Sequence, residues 1–199
     1  MTVDQTFSPA TPHAAPLLHP QSAISWAAIL AGSSVAVAAS LVLTLAGAGI
    51  GYAVGFPGIA SRASLAAFTP EIGAGAIVVQ VLSAALGGYL AGRLRTTWTG
   101  VHGDESHFRD TAHGLIAWAV ATLAGVLLAA LVLVPYGDQL AGASAAAAMT
   151  AEQAVRAGHI ASQASLFLAV GMLCSAFVAA VAGRLGGLQH EAMHAKLHG

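Results

Sequence analysis

The stretch SWAAILAGSSVAVAASLVLTLAGAGIGY, residues 25–52, decides the fold class: it holds no charged side chain. As an α-helix it rises about 42 Å, more than the roughly 30 Å of a bilayer's hydrocarbon core. Three later stretches share its character. No Asp, Glu, Lys or Arg occurs from Ile72 to Gly92, from Thr111 to Gly137 or from Ala157 to Gly183. Over all 199 residues, 57% are hydrophobic and 8% charged, whereas a soluble domain is about one quarter charged. That is too little charge to cover a soluble surface. The reading is an all-α, integral membrane four-helix bundle.

Caps and breakers predict the boundaries. Residues 1–23 carry four of the seven prolines (Pro9, Pro12, Pro16 and Pro20) and little to bury, so a flexible tail is expected. Helix 1 is expected over about residues 25–52 and helix 2 over about 70–94. Thr69 is a fitting N-cap for helix 2, Pro70 suits the first helical position, and Glu71 favours the positive helix end. Helix 3 is expected over about 111–134, stopped by Pro135, and helix 4 over about 164–185. T-A-E-Q at 150–153 is a capping-box pattern. Helix 4 therefore begins either near Ala151 or after a separate surface helix. The resulting plan is a tail (1–23), a first transmembrane hairpin (24–94), a polar loop (95–110), a second hairpin (111–185) and a His-rich C-tail (186–199). No Lys or Arg precedes the first apolar run, which is also too long for a signal-peptide core, so it is read as a retained span.

Four spans put both termini and the central loop on one side. That side carries Arg93, Arg95, Arg109, Arg184 and Lys196, and the other only Arg62 and Arg156, which predicts cytoplasmic termini. Trp26, Trp98 and Trp118 fall near the inner interface and Tyr52 and Tyr136 near the outer one. Trp26, Arg93, Trp118 and Arg184 are the expected interface anchors.

The chain also repeats itself. SAALGGYLAGRL (83–94) aligns with CSAFVAAVAGRL (174–185), and SWAAILAG (25–32) resembles AWAVATLAG (117–125). The two offsets nearly agree, which suggests a duplicated two-helix hairpin inserted twice in the same orientation.

SWAAILAG, GAGIGYA, GGYLAGRL and HGLIAWAVATL together resemble blocks of small bacterial inner-membrane proteins sometimes labelled PhnA-like. The resemblance covers the first three helices and implies a bacterial inner-membrane location. That family has no established activity, so no functional residues come with it.

Several groups of residues carry candidate chemistry. Gly47, Gly51 and Gly55 recur every four residues on helix 1, and Gly88 and Gly92 on helix 2, a spacing that lets a second helix approach closely. The glycine spacing does not fit a dinucleotide fingerprint. The segment VHGDESHFRDTAHG (101–114) gathers His107, Asp110 and His113, donors suited to zinc, manganese or iron. The bland reading of this segment is a solvated loop in which Asp110 caps helix 3. The chain ends in HEAMHAKLHG (190–199), where His190, His194 and His198 recur every four residues and HEAMH matches the H-E-x-x-H pattern of zinc proteases. Proteolysis also needs a third ligand, a cleft and excluded water, and no soluble domain is there to build them.

The spans hold no ionisable residue at mid-depth, which argues against ion-coupled transport. Cys174 is the only cysteine, so no intramolecular disulfide exists. Net charge is −1 and no basic patch points to nucleic acid. The expectation is therefore a non-enzymatic structural or accessory membrane component, without a cofactor, embedded in lipid as a homo-oligomer or part of a larger membrane complex. Its alternatives are a divalent-metal-binding or transport-related protein using cytoplasmic His, Asp and Glu, and an HExxH membrane metalloprotease.

Overall fold

The computed structural model describes residues 24–55, 68–95, 103–134 and 150–198. They form four helices: α1 (Trp26–Ala53), α2 (Pro70–Arg93), α3 (Gly103–Leu133) and α4 (Ala151–His198). All four are long and apolar enough to cross a membrane. The all-α four-helix architecture is thus as expected. The tail 1–23, with Trp98, His102 and Tyr136, lies outside the described residues.

Helix α2 starts as its signals predict. The Ile72 amide donates to the Thr69 hydroxyl at 3.5 Å, and Pro70 occupies the first turn. The other boundaries differ instructively. α3 begins at Gly103, eight residues before the expected start, so half of the supposed polar loop is helix. Nothing in GDESHFRD breaks a helix, its acidic residues suit the N-terminal turn, and Glu105 pairs with Arg109 one turn on. Asp110 therefore sits within α3 and does not cap it.

α4 begins at Ala151, where the capping box closes: the Thr150 amide donates to Gln153 Oε1 at 2.9 Å and the Gln153 amide to the Thr150 hydroxyl at 3.3 Å. It then runs unbroken for 48 residues through the expected C-tail to His198. At 1.5 Å per residue that is about 72 Å, over twice the bilayer core. Gly186-Gly187 looks like a stop but is a packing surface. A methyl group at 186 would strike the Tyr89 carbonyl, and one at 187 the Asp110 carboxylate.

Packing is closest where α1 and α3 begin and α2 and α4 end, here called the proximal half. α1 rests on α2 through Gly32 and Gly87, each lying against the other's carbonyl. α2 rests on α4 where Gly88 meets Ala179 and Gly92 meets Gly183. α3 meets α4 through Gly114, Ala179 and Gly183. Ile29, Ala91 and Ala117 fill the small apolar core between α1, α2 and α3. In the distal half α2 and α4 stay paired: the Phe68 and Phe167 rings lie 5.5 Å apart over Gly73. α1 and α3 there turn large side chains outward, among them Leu41, Val42, Leu45, Leu127 and Leu131.

Candidate functional site

Small residues at the crossings leave room for little besides backbone, so polar side chains do the remaining joining. The proximal half is closed by four residues from three segments. Arg95, just past the end of α2, forms a salt bridge with Asp110 of α3, with Nη2 2.9 Å from Oδ2 and Nε against Oδ1. Both side chains are essentially inaccessible, at 1% and 0% exposure, so the two charges meet inside the bundle, away from water. Gly187 makes the pocket for this carboxylate, because any side chain there would occupy its position.

One turn along α3 from Asp110, His113 is also buried. Its Nδ1 lies 2.7 Å from the Arg109 carbonyl, and its Nε2 accepts from the Ser25 amide at 2.9 Å. A carbonyl only accepts, so Nδ1 carries the proton and Nε2 presents its lone pair to Ser25. Ser25 makes no side-chain cap on its own helix. An amide at the start of α1, which has no partner within that helix, is thus satisfied by a side chain of α3.

Two hydroxyls continue the joining inward. Ser33 Oγ lies 2.7 Å from the Ile29 carbonyl of its own helix and 3.0 Å from the Ala117 carbonyl of α3. Trp118 Nε1 donates to Ser175 Oγ of α4 at 2.9 Å, and that hydroxyl donates to the Met172 carbonyl at 3.0 Å. Trp118, expected as an interface anchor, is therefore a cross-helix donor and half-buried. Trp26, also expected as an anchor, is 57% exposed. Arg93 donates to the Tyr89 hydroxyl at 2.9 Å and to Gln189 Oε1 at 2.8 Å, joining α2 to α4, while Arg184 is exposed.

The expected metal donors separate into two groups. Asp110 is committed to Arg95, and both ring nitrogens of His113 are engaged with main chain. His107 and His190 are half-buried on α3 and α4. His194 and His198 belong to α4 by their backbone, but their side chains lie outside the described residues. Among the described residues, no three His, Cys, Asp or Glu side chains converge to hold a metal ion.

The expected packing glycines divide as well. Gly88 and Gly92 lie in the α2–α4 crossing, whereas among the described residues nothing stands within 4 Å of a methyl group added at Gly47 or Gly55. Gly55 follows the helix end at φ +65°, a conformation that glycine adopts freely. Gly51 is buried. Gly32, Gly87, Gly114, Gly183, Gly186 and Gly187 carry close contacts that sequence reading did not single out. Nor did it single out Arg95 as a partner of Asp110. The signal for the α4 set is the spacing Gly183-x-x-x-Gly187, the same device already noticed on helix 2.

No protein-family model, curated protein or solved structure matches the chain.

Proposed function

We propose that this chain is a non-enzymatic structural or accessory component of the bacterial inner membrane, with both termini in the cytoplasm, that works by assembling with other membrane chains. The observation that carries this reading is the asymmetry of the bundle. Its proximal half is locked by a buried ion pair and cross-helix hydrogen bonds. In its distal half α1 and α3 leave large apolar side chains exposed, and open space lies beside Gly47, Gly49 and Gly125 among the described residues, the small-residue surface on which a further helix can pack. Hydroxyls within the spans support it: Ser34, Ser40, Thr44, Ser83 and Thr122 donate to carbonyls of their own helices, a packing role and not a transport path. The basic residues support the orientation even with Arg95 discounted as paired to Asp110.

The duplication reading belongs here too. Gly88 meets Ala179 and Gly92 meets Gly183, and these are positions that the internal alignment pairs, 91 residues apart. Helices related by a two-fold axis along the membrane normal meet at equivalent residues in this way.

Cysteine cross-linking in native membranes tests the assembly. In a Cys174→Ala background, single cysteines at Leu45 and Leu127 are oxidised. Disulfide-linked dimers, or adducts with a second chain, are the expected products. Monomer alone at both positions, with the same chemistry working on a known membrane dimer, would overturn the reading.

A further inference from the structure

At the proximal end of the seam between α2 and α4, one arginine is held in place by neutral partners alone. Arg93 is the last residue of α2, whose 24 residues rise about 36 Å, so it reaches the headgroup region at the edge of the roughly 30 Å hydrocarbon core. Its Nη1 donates to the Tyr89 hydroxyl at 2.9 Å and to Gln189 Oε1 at 2.8 Å, and the Tyr89 hydroxyl donates to the same Oε1. The Nη1 protons are thereby spent, and the guanidinium is fixed in place. Among the described residues, Arg95, Arg109 and Arg156 face Asp110, Glu105 and Glu152, whereas no carboxylate faces Arg93.

What remains of Arg93 is the edge formed by Nε and Nη2, with its unspent N–H donors and a full positive charge. A guanidinium edge of this kind grips a pair of oxygens on one phosphate or carboxylate. Gln189 spends only its oxygen in these bonds, so its amide nitrogen offers further donors nearby. Arg93, Gln189, Ala192 and Met193 line one cavity of about 280 Å³, and Gln189, Ala192 and Met193 are exposed. Towards the bilayer centre the surface turns apolar. Leu82, Leu86, Tyr89 and Arg93 fall within about 60° of arc on a regular helix, and Leu82 and Leu86 are exposed. A positive, donor-rich head above an apolar strip is the complement of a lipid that carries phosphate above acyl chains.

We propose that Arg93, with Gln189, binds the phosphate of an anionic phospholipid whose acyl chains lie along Leu86 and Leu82. Charge decides the lipid class. The guanidinium carries a whole positive charge against only about half an elementary charge at the α2 C-terminus, so a headgroup of net negative charge gains over a zwitterionic one. One chain supplies every group of this site, so it holds whether or not chains assemble. Arg184, which the internal alignment pairs with Arg93, lacks this setting: it is exposed, and among the described residues no side chain bonds it. It therefore measures the general attraction between an arginine and an anionic surface.

Full-length protein in detergent is titrated with phosphatidylglycerol, phosphatidylcholine or inorganic phosphate, and bound molecules are counted by native mass spectrometry. The expected result is one phosphatidylglycerol retained per chain at concentrations where phosphatidylcholine is lost. Arg93→Ala is expected to weaken that binding at least about tenfold, the loss of charge-assisted hydrogen bonds. Arg93→Lys is expected to fall between parent and Arg93→Ala, because it keeps the charge without the two-pronged edge. Its ammonium can still donate to Tyr89 and Gln189, so it keeps the test valid if Arg93→Ala unfolds. Arg184→Ala is expected to cost no more than about fivefold, the general attraction of one surface arginine. Lysine matching arginine at position 93, or Arg184→Ala weakening binding as much as Arg93→Ala, would reduce the effect to surface charge and overturn the site. Equal retention of the two lipids would overturn the anionic assignment. Inorganic phosphate binding as tightly as phosphatidylglycerol would mark a free-anion site and overturn the lipid.

Discussion

The two halves of this bundle are packed unequally. In the proximal half, glycine and alanine at the crossings bring backbones into contact, and a few polar side chains then reach across. In the distal half, α1 and α3 present Leu and Val outward, and a methyl group added at Gly47, Gly49 or Gly125 would meet nothing within 4 Å among the described residues. Lipid tails are as apolar as leucine, so leucine gains little by leaving lipid for a neighbouring helix. Close small-residue contacts and hydrogen bonds do gain by it. Polarity and smallness, and not hydrophobicity, separate the tight half from the loose one.

The strongest test of that contrast is to unpair the lock. Asp110→Ala removes the carboxylate that faces the buried Arg95 guanidinium and is expected to cost about 3–5 kcal/mol, read as loss of stability in mixed-micelle unfolding. A cost below about 1 kcal/mol would mean that water already reaches the pair, and the proximal half would lose its distinction.

Next in size is crowding at a crossing. Gly92→Ala drives a methyl group into the Gly183 backbone, and about 1–3 kcal/mol of destabilisation is expected in the same assay. Ser175→Ala, which removes the acceptor of the Trp118 indole, is expected to cost less, about 0.6 kcal/mol and no more than about 1.7.

The smallest effect belongs to the distal half. Gly47→Ala has open space and a better helix former, so stability within about 1 kcal/mol of the parent is expected, on the favourable side. This variant also sharpens the comparison. If Gly47→Ala is neutral in dilute detergent but weakens cross-linking at Leu45 in native membranes, the exposed face of α1 is where another chain sits.

Much of the fold was legible because the bilayer imposes a length scale that a linear sequence displays directly. The spans, the Thr69-Pro70 start and the capping box at Thr150 all depend on neighbours within a few residues. Two errors came from treating charge and glycine as local signals. Asp110 reads as a cap or loop residue until Arg95 neutralises it within a helix. Helix 4, expected to end near 185, continues through Gly186 and Gly187, where Tyr89 and Asp110 occupy the space that side chains would need. Only part of the candidate site was legible: Asp110 and His113 were noticed as donors, but their partners, Arg95 and the Ser25 amide, lie 15 and 88 residues away.

The sequence by itself determined that the chain is helical and apolar enough to cross a membrane four times, because those properties follow from composition and spacing along one strand of chain. Tertiary structure alone decided which polar residues are structural. It ties His113 to Ser25 and Asp110 to Arg95. A side chain's role is set by which atoms meet it across a helix crossing, and no local pattern records that.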